Sequence, residues 1–196
     1  GIFQASEGKI LLFGQDVTSW PSHRRTALRM ARTFQVTSLF ANLTVWDNVL
    51  LAIKGVRPTK FVVWRPLSSY RDVTSKAHSL LEQANFLDRK DVEVRNLSHG
   101  EQRQLEIVMG LATDPKILLL DEPAAGLSSG ESYEMARFLK QLDPGLAILL
   151  IEHDMDVVFD VAKTISVLHF GEVVETGDME KVRGSAKVQE IYLGID

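Results

Sequence analysis

Apolar residues fall along this chain in two rhythms, and the change of rhythm organises it. In the first half they come in short, interrupted groups. Residues 9–13 form a brief apolar run closed by Gly14-Gln15-Asp16, the pattern of a strand entering a turn. Pro21 then stands just inside a helix start with Ser19 as candidate cap, and the expected helix carries Arg24, Arg25, Arg29 and Arg32. Thr44-Val45-Trp46-Asp47 opens a second helix over 48–53. Residues 55–72 are turn-rich, with a small apolar patch at 61–64. From 73 to 86, Ala77, Leu80, Leu81 and Ala84 recur at intervals of three and four, which predicts an amphipathic helix.

In the second half the runs lengthen. Ser98-His99-Gly100-Glu101 precedes a helix with Leu105, Val108, Met109 and Ala112 on one face, stopped by Asp114-Pro115. Residues 117–120 are continuously apolar and end at Asp121-Glu122-Pro123. A helix is expected over 131–142, a strand over 146–151 ending at Glu152-His153, a helix near 156–162 and a strand over 164–170. Continuously apolar strands alternating with helices predict a parallel sheet covered on both faces. Residues 45–112 read as helix and loop only, a helical subdomain inserted into an α/β core. There is no internal repeat.

Composition sharpens this picture. With 196 residues, 45% of them apolar, the chain can bury a sizeable core as one domain or one plus a small subdomain. The lack of cysteine excludes a disulfide scaffold, thiolate metal sites and a cysteine nucleophile. The longest apolar runs, such as 146–151, fall far short of the roughly 20 residues of a membrane helix. Residues 1–100 carry 14 basic and 8 acidic side chains, and residues 101–196 carry 8 and 18. The arginines are scattered, which favours two solvated faces over a nucleic-acid surface. The start has no signal-peptide pattern, and Gly1 in place of Met suggests that the beginning is missing.

Candidate chemistry lies at the strand ends, since parallel sheets bind ligands beyond their carboxyl edges. Two acids closing an apolar run, Asp121 and Glu122, match a Walker B pattern, in which the Asp serves nucleotide-bound Mg²⁺. The same residues also fit a strand turning into solvent at Pro123. Ser98 and Gly100 stand at a helix N-terminus, where unpaired N–H groups favour a phosphate. Ser98 equally fits a plain N-cap, with Glu101 completing a capping box.

Four motifs occur in order: Arg32-Thr33-Phe34-Gln35, Leu97-Ser98-His99-Gly100-Glu101, 117–123, and His153. Together they resemble the nucleotide-binding domain of an ABC ATPase, as Q-loop, signature motif, Walker B with its catalytic Glu, and H-loop. Leu39-Phe40, Leu43-Thr44-Val45, Asn48-Val49, the 97–107 and 122–127 stretches and the 188–194 ending are similar to ATP-binding subunits of branched-chain amino acid importers. Lipopolysaccharide-export ATPases are near relatives. The resemblance implies a P-loop NTPase-like parallel sheet with an inserted helical subdomain. It divides the chain into a core remnant with the Q-loop (1–44), a signature subdomain (45–112) and an α/β core (113–196).

The resemblance also implies ATP and Mg²⁺ as cofactors. Asp121 would hold Mg²⁺ partly through water, together with Gln35. Glu122 would act on the attacking water, and His153 would hold Glu122 and that water in place. Ser98, Gly100 and Glu101 would face the ATP of a second ATP-binding subunit. Glu152 would add a third carboxylate at the sheet edge. The implied partners are that subunit, transmembrane permeases and, indirectly, a periplasmic binding protein, with no nucleic acid. The implied place is peripheral, on the cytoplasmic face of the inner membrane. A permease helix would dock near 37–48, with Leu39 and Phe40 as apolar contacts or, equally, as subdomain core.

Some features depart from the pattern. Gly8-Lys9 is the only Gly-Lys pair and Ile10 follows it, so the 196 residues contain no G-x-x-x-x-G-K-[ST]. The expectation is a chain truncated at its N-terminus, lacking the first strands and the P-loop helix, and inactive alone; the alternatives are a non-catalytic truncated ABC module or a lipopolysaccharide-export-type ABC ATPase. His99 and Glu101 replace the Gly and Gln of the general signature, and Ser128 stands where many ABC domains carry an Asp.

Overall fold

Short hairpins bracket a central parallel sheet in this computed structural model, which describes residues 4–33, 39–55 and 71–193. The first hairpin pairs Leu11–Leu12 (β1) with Gln15–Asp16 (β2). Its turn residues, Phe13 and Gly14, take φ of 50° and 78°, the left-handed pair whose twist suits a two-residue hairpin loop. The helix that follows, Ser22–Ala27 (α1), is shorter than its arginine pattern suggested. Pro21 is its N-cap rather than its first turn, no side chain caps it, and Ser19 takes no part. Only Arg24 and Arg25 lie on it. Arg25 is buried, its guanidinium donating to the carbonyls of Trp20 and Thr18 at 2.9 and 3.0 Å.

Arg29, at φ 64°, turns the chain into a strand that the periodicity missed, Met30–Arg32 (β3). This strand pairs in parallel with Ile117–Asp121 (β4), and β4 pairs in parallel with Ala147–Ile151 (β5). The third parallel strand is therefore β3, not residues 164–170 as expected. That segment forms Ile165–His169 (β6), which turns back antiparallel onto Glu172–Gly177 (β7) through a second left-handed pair, Phe170 and Gly171. Its sheet has its own small core of Ile165, Val167, Val182 and Val188, closed by Met179–Gly184 (α7) and Ala186–Leu193 (α8).

Among the described residues between β3 and β4 lie three α-helices: Val45–Gly55 (α2), Arg71–Gln83 (α3) and His99–Leu111 (α4). After β4 come Ser129–Lys140 (α5) and Met155–Val161 (α6). The main core joins them: Val45, Val49 and Ile53 meet Ala77, Leu81, Leu105, Val108, Leu118, Leu120, Phe138 and Leu139. Strand side chains alternate between faces. Leu118 and Leu120, in register with Ile148 and Leu150, point into this core. On the opposite face, Leu149 and Ile151 are 59% and 57% exposed. Among the described residues the sheet is thus packed on one side and open along β5 on the other, not covered on both.

Candidate functional site

The sequence-derived residues fall into two groups, one at the carboxyl end of the sheet and one where α4 and α5 begin. Asp121 closes β4 opposite Ile151. Alternation sets it on the open face together with Arg32, whose register partner is Leu119. From there the Arg32 guanidinium reaches Asp121 Oδ2 at 3.0 Å. The chain leaves the sheet at Glu122, whose φ of 48° is uncommon outside glycine and stores strain at this edge. The Glu122 N–H still donates to the Ile151 carbonyl at 2.9 Å. His153 stands just past β5 with Nδ1 3.6 Å from Glu122 Oε1. That distance is longer than a well-formed hydrogen bond.

Glu152 does something other than expected. Its side chain is fully buried, and its carboxylate accepts from the N–H groups of Ala124 at 2.7 Å and His153 at 3.2 Å. It braces the turn after β4. Asp121 and Glu122 do fit Mg²⁺, a hard cation that takes one or two carboxylates and fills its shell with water and phosphate oxygens. Among the described residues, no three His, Asp or Glu side chains converge as a cage. Gln35 lies outside the described residues.

The second group is tightly hydrogen-bonded. Ser98 caps α4: its Oγ accepts from Glu101 N–H at 3.2 Å, and Glu101 Oε2 accepts from Ser98 N–H at 2.8 Å. This is the reciprocal capping box that the S-x-x-E spacing predicts. Arg89 holds Glu101 at 3.1 Å from the other side. Ser128 and Glu131 repeat the arrangement at the start of α5. Glu131 also crosses to α4, accepting from Ser98 Oγ at 3.2 Å and Gly100 N–H at 3.3 Å. The Ser128 N–H and hydroxyl, then the Gly100 N–H and Ser98 hydroxyl, outweigh partial burial and hold the Glu131 carboxyl down at about 2, against an ordinary 4.5.

The structure also separates Leu39 from Phe40. Leu39 packs against the main core, whereas Phe40 is 55% exposed. The loop is clamped by Asn48, a fully buried side chain on α2. Its amide accepts from Phe40 N–H at 2.9 Å and donates to the carbonyls of Phe40 and Thr44 at 3.1 and 2.9 Å. Sequence reasoning missed Asn48, Arg32 as a partner of Asp121, and Glu131. A polar residue between Val45 and Val49 on an apolar helix face was the available signal for Asn48. The second S-x-x-E spacing, at 128–131, was the one for Glu131. Nothing local marks Arg32.

Comparison with known proteins agrees with this geometry. The profile of the ABC transporter family matches residues 1–125. The probable branched-chain amino acid transport ATP-binding protein LivG of Archaeoglobus fulgidus is 34% identical over 99% of this chain and 77% of its own length. The lipopolysaccharide export system ATP-binding protein LptB of Haemophilus influenzae is 30% identical over 99% and 77%. Among solved structures, the ADP conformation of an ATP-binding cassette of an ABC transporter superposes with a TM-score of 0.83 at 26% identity, covering all of this chain and 80% of that one. With Asp121-Glu122 closing an apolar strand, His153 beside them and Ser98-His99-Gly100-Glu101 opening a helix, the chain belongs to the ABC transporter family of ATPases.

Proposed function

We propose that this chain is the ATP-binding subunit of an importer for branched-chain or related amino acids, one half of a dimer that clamps ATP beneath separate permease subunits. The observation that carries the reading is the pairing of two complementary ends in one fold. An acidic strand end carries Asp121, Glu122 and His153, with His153 3.6 Å from Glu122. A helix start at Ser98 and Gly100 already receives a carboxylate. The 34% identity to LivG supports the importer class.

In this reading Asp121 and Gln35 hold Mg²⁺, which when bound neutralises charge on the phosphate oxygens of ATP. Glu122 accepts a proton from the attacking water. His153 keeps the Glu122 carboxylate facing that water. Ser98, Gly100 and Glu101 face the phosphate of the nucleotide on the second ATP-binding subunit. Residues 45–112 carry this signature surface, 113–196 carry the strand-end chemistry, and 1–44 hold the Q-loop. Phe40, exposed beside the Asn48 clamp, is the apolar contact for a permease helix. The chain works at the cytoplasmic face of the membrane, fed by a binding protein outside. Among the described residues, no helix is long and apolar enough to cross a membrane itself.

With no P-loop pattern in its 196 residues, the chain alone turns over no ATP. The test is a chimera that places the P-loop-bearing segment of a LivG relative ahead of Gly1. It is expected to show Mg²⁺-dependent ATPase activity that falls at least about a hundredfold in Glu122→Gln. Activity of the 196-residue chain alone, abolished by the same substitution, overturns the predicted inactivity. The 30% identity to LptB supports lipopolysaccharide export as the second reading. Co-expression with importer permeases separates the two: leucine uptake favours the first, and rescue of lipopolysaccharide export the second.

A further inference from the structure

Glu131 makes one more set of contacts than helix capping requires. Its Oε2 serves its own helix, accepting from Ser128 N–H at 3.1 Å and Ser128 Oγ at 2.8 Å. Its Oε1 serves the other helix, through Ser98 Oγ and Gly100 N–H. Yet α4 already has its own capping carboxylate in Glu101. A second anion has therefore been brought 33 residues along the chain to the one place on α4 where exposed N–H groups and the helix dipole attract negative charge.

The fit depends on the residue at 100. A Cβ added to Gly100 would stand 3.0 Å from Glu131 Oε1, 3.1 Å from its Cγ and 3.2 Å from its Cβ. Any side chain there would press on the carboxylate and force it to give by a few tenths of an ångström, so the bare backbone at 100 forms the cradle that Glu131 fills. The carboxyl stays ionised down to about pH 2, so the cradle holds a full negative charge at every working pH.

We propose that the Glu131 carboxylate is a built-in anion that occupies the signature surface, and that a nucleotide phosphate must displace it to reach Ser98 and Gly100. This rests on the reading of Ser98 and Gly100 as the phosphate-facing groups. The exchange leaves α5 capped: Oε1 gives up Ser98 and Gly100 while Oε2 keeps Ser128. Phosphate arrival at the start of α4 is thereby tied to a movement at the start of α5. Glu131 is a positioning residue in this scheme and touches no reacting atom.

The test compares the parent chain with Glu131→Gln, since Gln at the third helical position keeps a capping box but carries no charge. Each ¹⁵N-labelled chain is titrated with tripolyphosphate at pH 7, following the Gly100 amide resonance. Half-saturation is expected at a concentration about tenfold or more lower in Glu131→Gln. Equal half-saturation in both chains, or no saturable shift in either, overturns the proposal. A second measurement needs no variant: the Glu131 side-chain ¹³C resonance of the parent should titrate near 2, and titration at the ordinary 4.5 overturns the contact itself. A chimera without ATPase activity, beside a Gln variant that binds tripolyphosphate tenfold more tightly, would sink the importer reading and leave this one standing.

Discussion

The two sides of the central sheet are built on opposite terms. Towards α2, α4 and α5, β4 presents Leu118 and Leu120 at 0% and 1% exposure, and several polar groups beyond that core are tied into hydrogen bonds. Asn48 closes its loop, Glu101 and Glu131 complete capping boxes, and Glu152 is consumed by two backbone N–H groups. Towards the other side, Leu149 and Ile151 stand open, and the candidate catalytic residues lie at the rim. Arg32 and Asp121 lie on this face, and Glu122 leaves it in a left-handed conformation. Burial is concentrated on the closed side, and the strand-end carboxylates Asp121 and Glu122 stand at the rim of the open one.

The largest expected effect breaks the closed side. Leu118→Ala removes a fully buried side chain from the middle of the main core, where the surrounding helices cannot collapse into the space. It should cost about 2–5 kcal/mol of unfolding free energy, read as a lowered urea midpoint at unchanged slope. A loss under about 1 kcal/mol would mean that the sheet does not anchor this core.

A smaller effect concerns the polar lining of the closed side. The folded Glu131 carboxyl is held at about 2, below its ordinary 4.5, so the unfolded chain binds the proton more tightly than the folded one. Its contribution is therefore fully present above pH 4.5 and is lost as the pH falls towards 2. Between pH 7 and 5 this group adds no slope. Acid titration of stability should show a steeper decline between 4.5 and 2 in the parent than in Glu131→Gln. Parallel curves would mean that the carboxylate is not held by Ser128 and Gly100.

Much of this was legible along the chain, and the failures share a cause. Both S-x-x-E spacings, at 98–101 and 128–131, are local signals, and both made capping boxes. The apolar runs at 117–120 and 146–151 became β4 and β5 because runs of β-branched and aliphatic residues suit buried strands. Met30–Arg32 carries no such run. It is a strand only because β4 lies beside it, with the Arg29 carbonyl accepting from Lys116 N–H at 2.7 Å. The pairing of β6 with β7 likewise depends on a turn at Phe170-Gly171 that the sequence marks by one glycine. At the site, Asp121, Glu122 and His153 were readable from their places at strand ends. The Arg32–Asp121 and Glu131–Ser98 contacts were not, because each joins residues far apart in the chain.

The coverage of the sheet faces is where pattern reading failed outright, and it supplies the mildest test. A continuous apolar run says that both faces of a strand avoid water in some state, but not what shields each face. For the chain as described, Leu149 keeps 59% of its surface in solvent, so truncating it forfeits little buried area. Leu149→Ser is expected to change unfolding free energy by no more than about 0.5 kcal/mol, against several for Leu118→Ala one strand away. Strand propensity adds only tenths of a kcal/mol to that figure. If Leu149→Ser instead costs about as much as Leu118→Ala, the open face is covered in solution and the contrast between the two sides disappears. If the cost appears only at high protein concentration and fades on dilution, the cover is a second copy of the chain. Measuring the urea midpoint over a hundredfold range of concentration separates these outcomes, because a cover supplied by the chain itself does not dilute away.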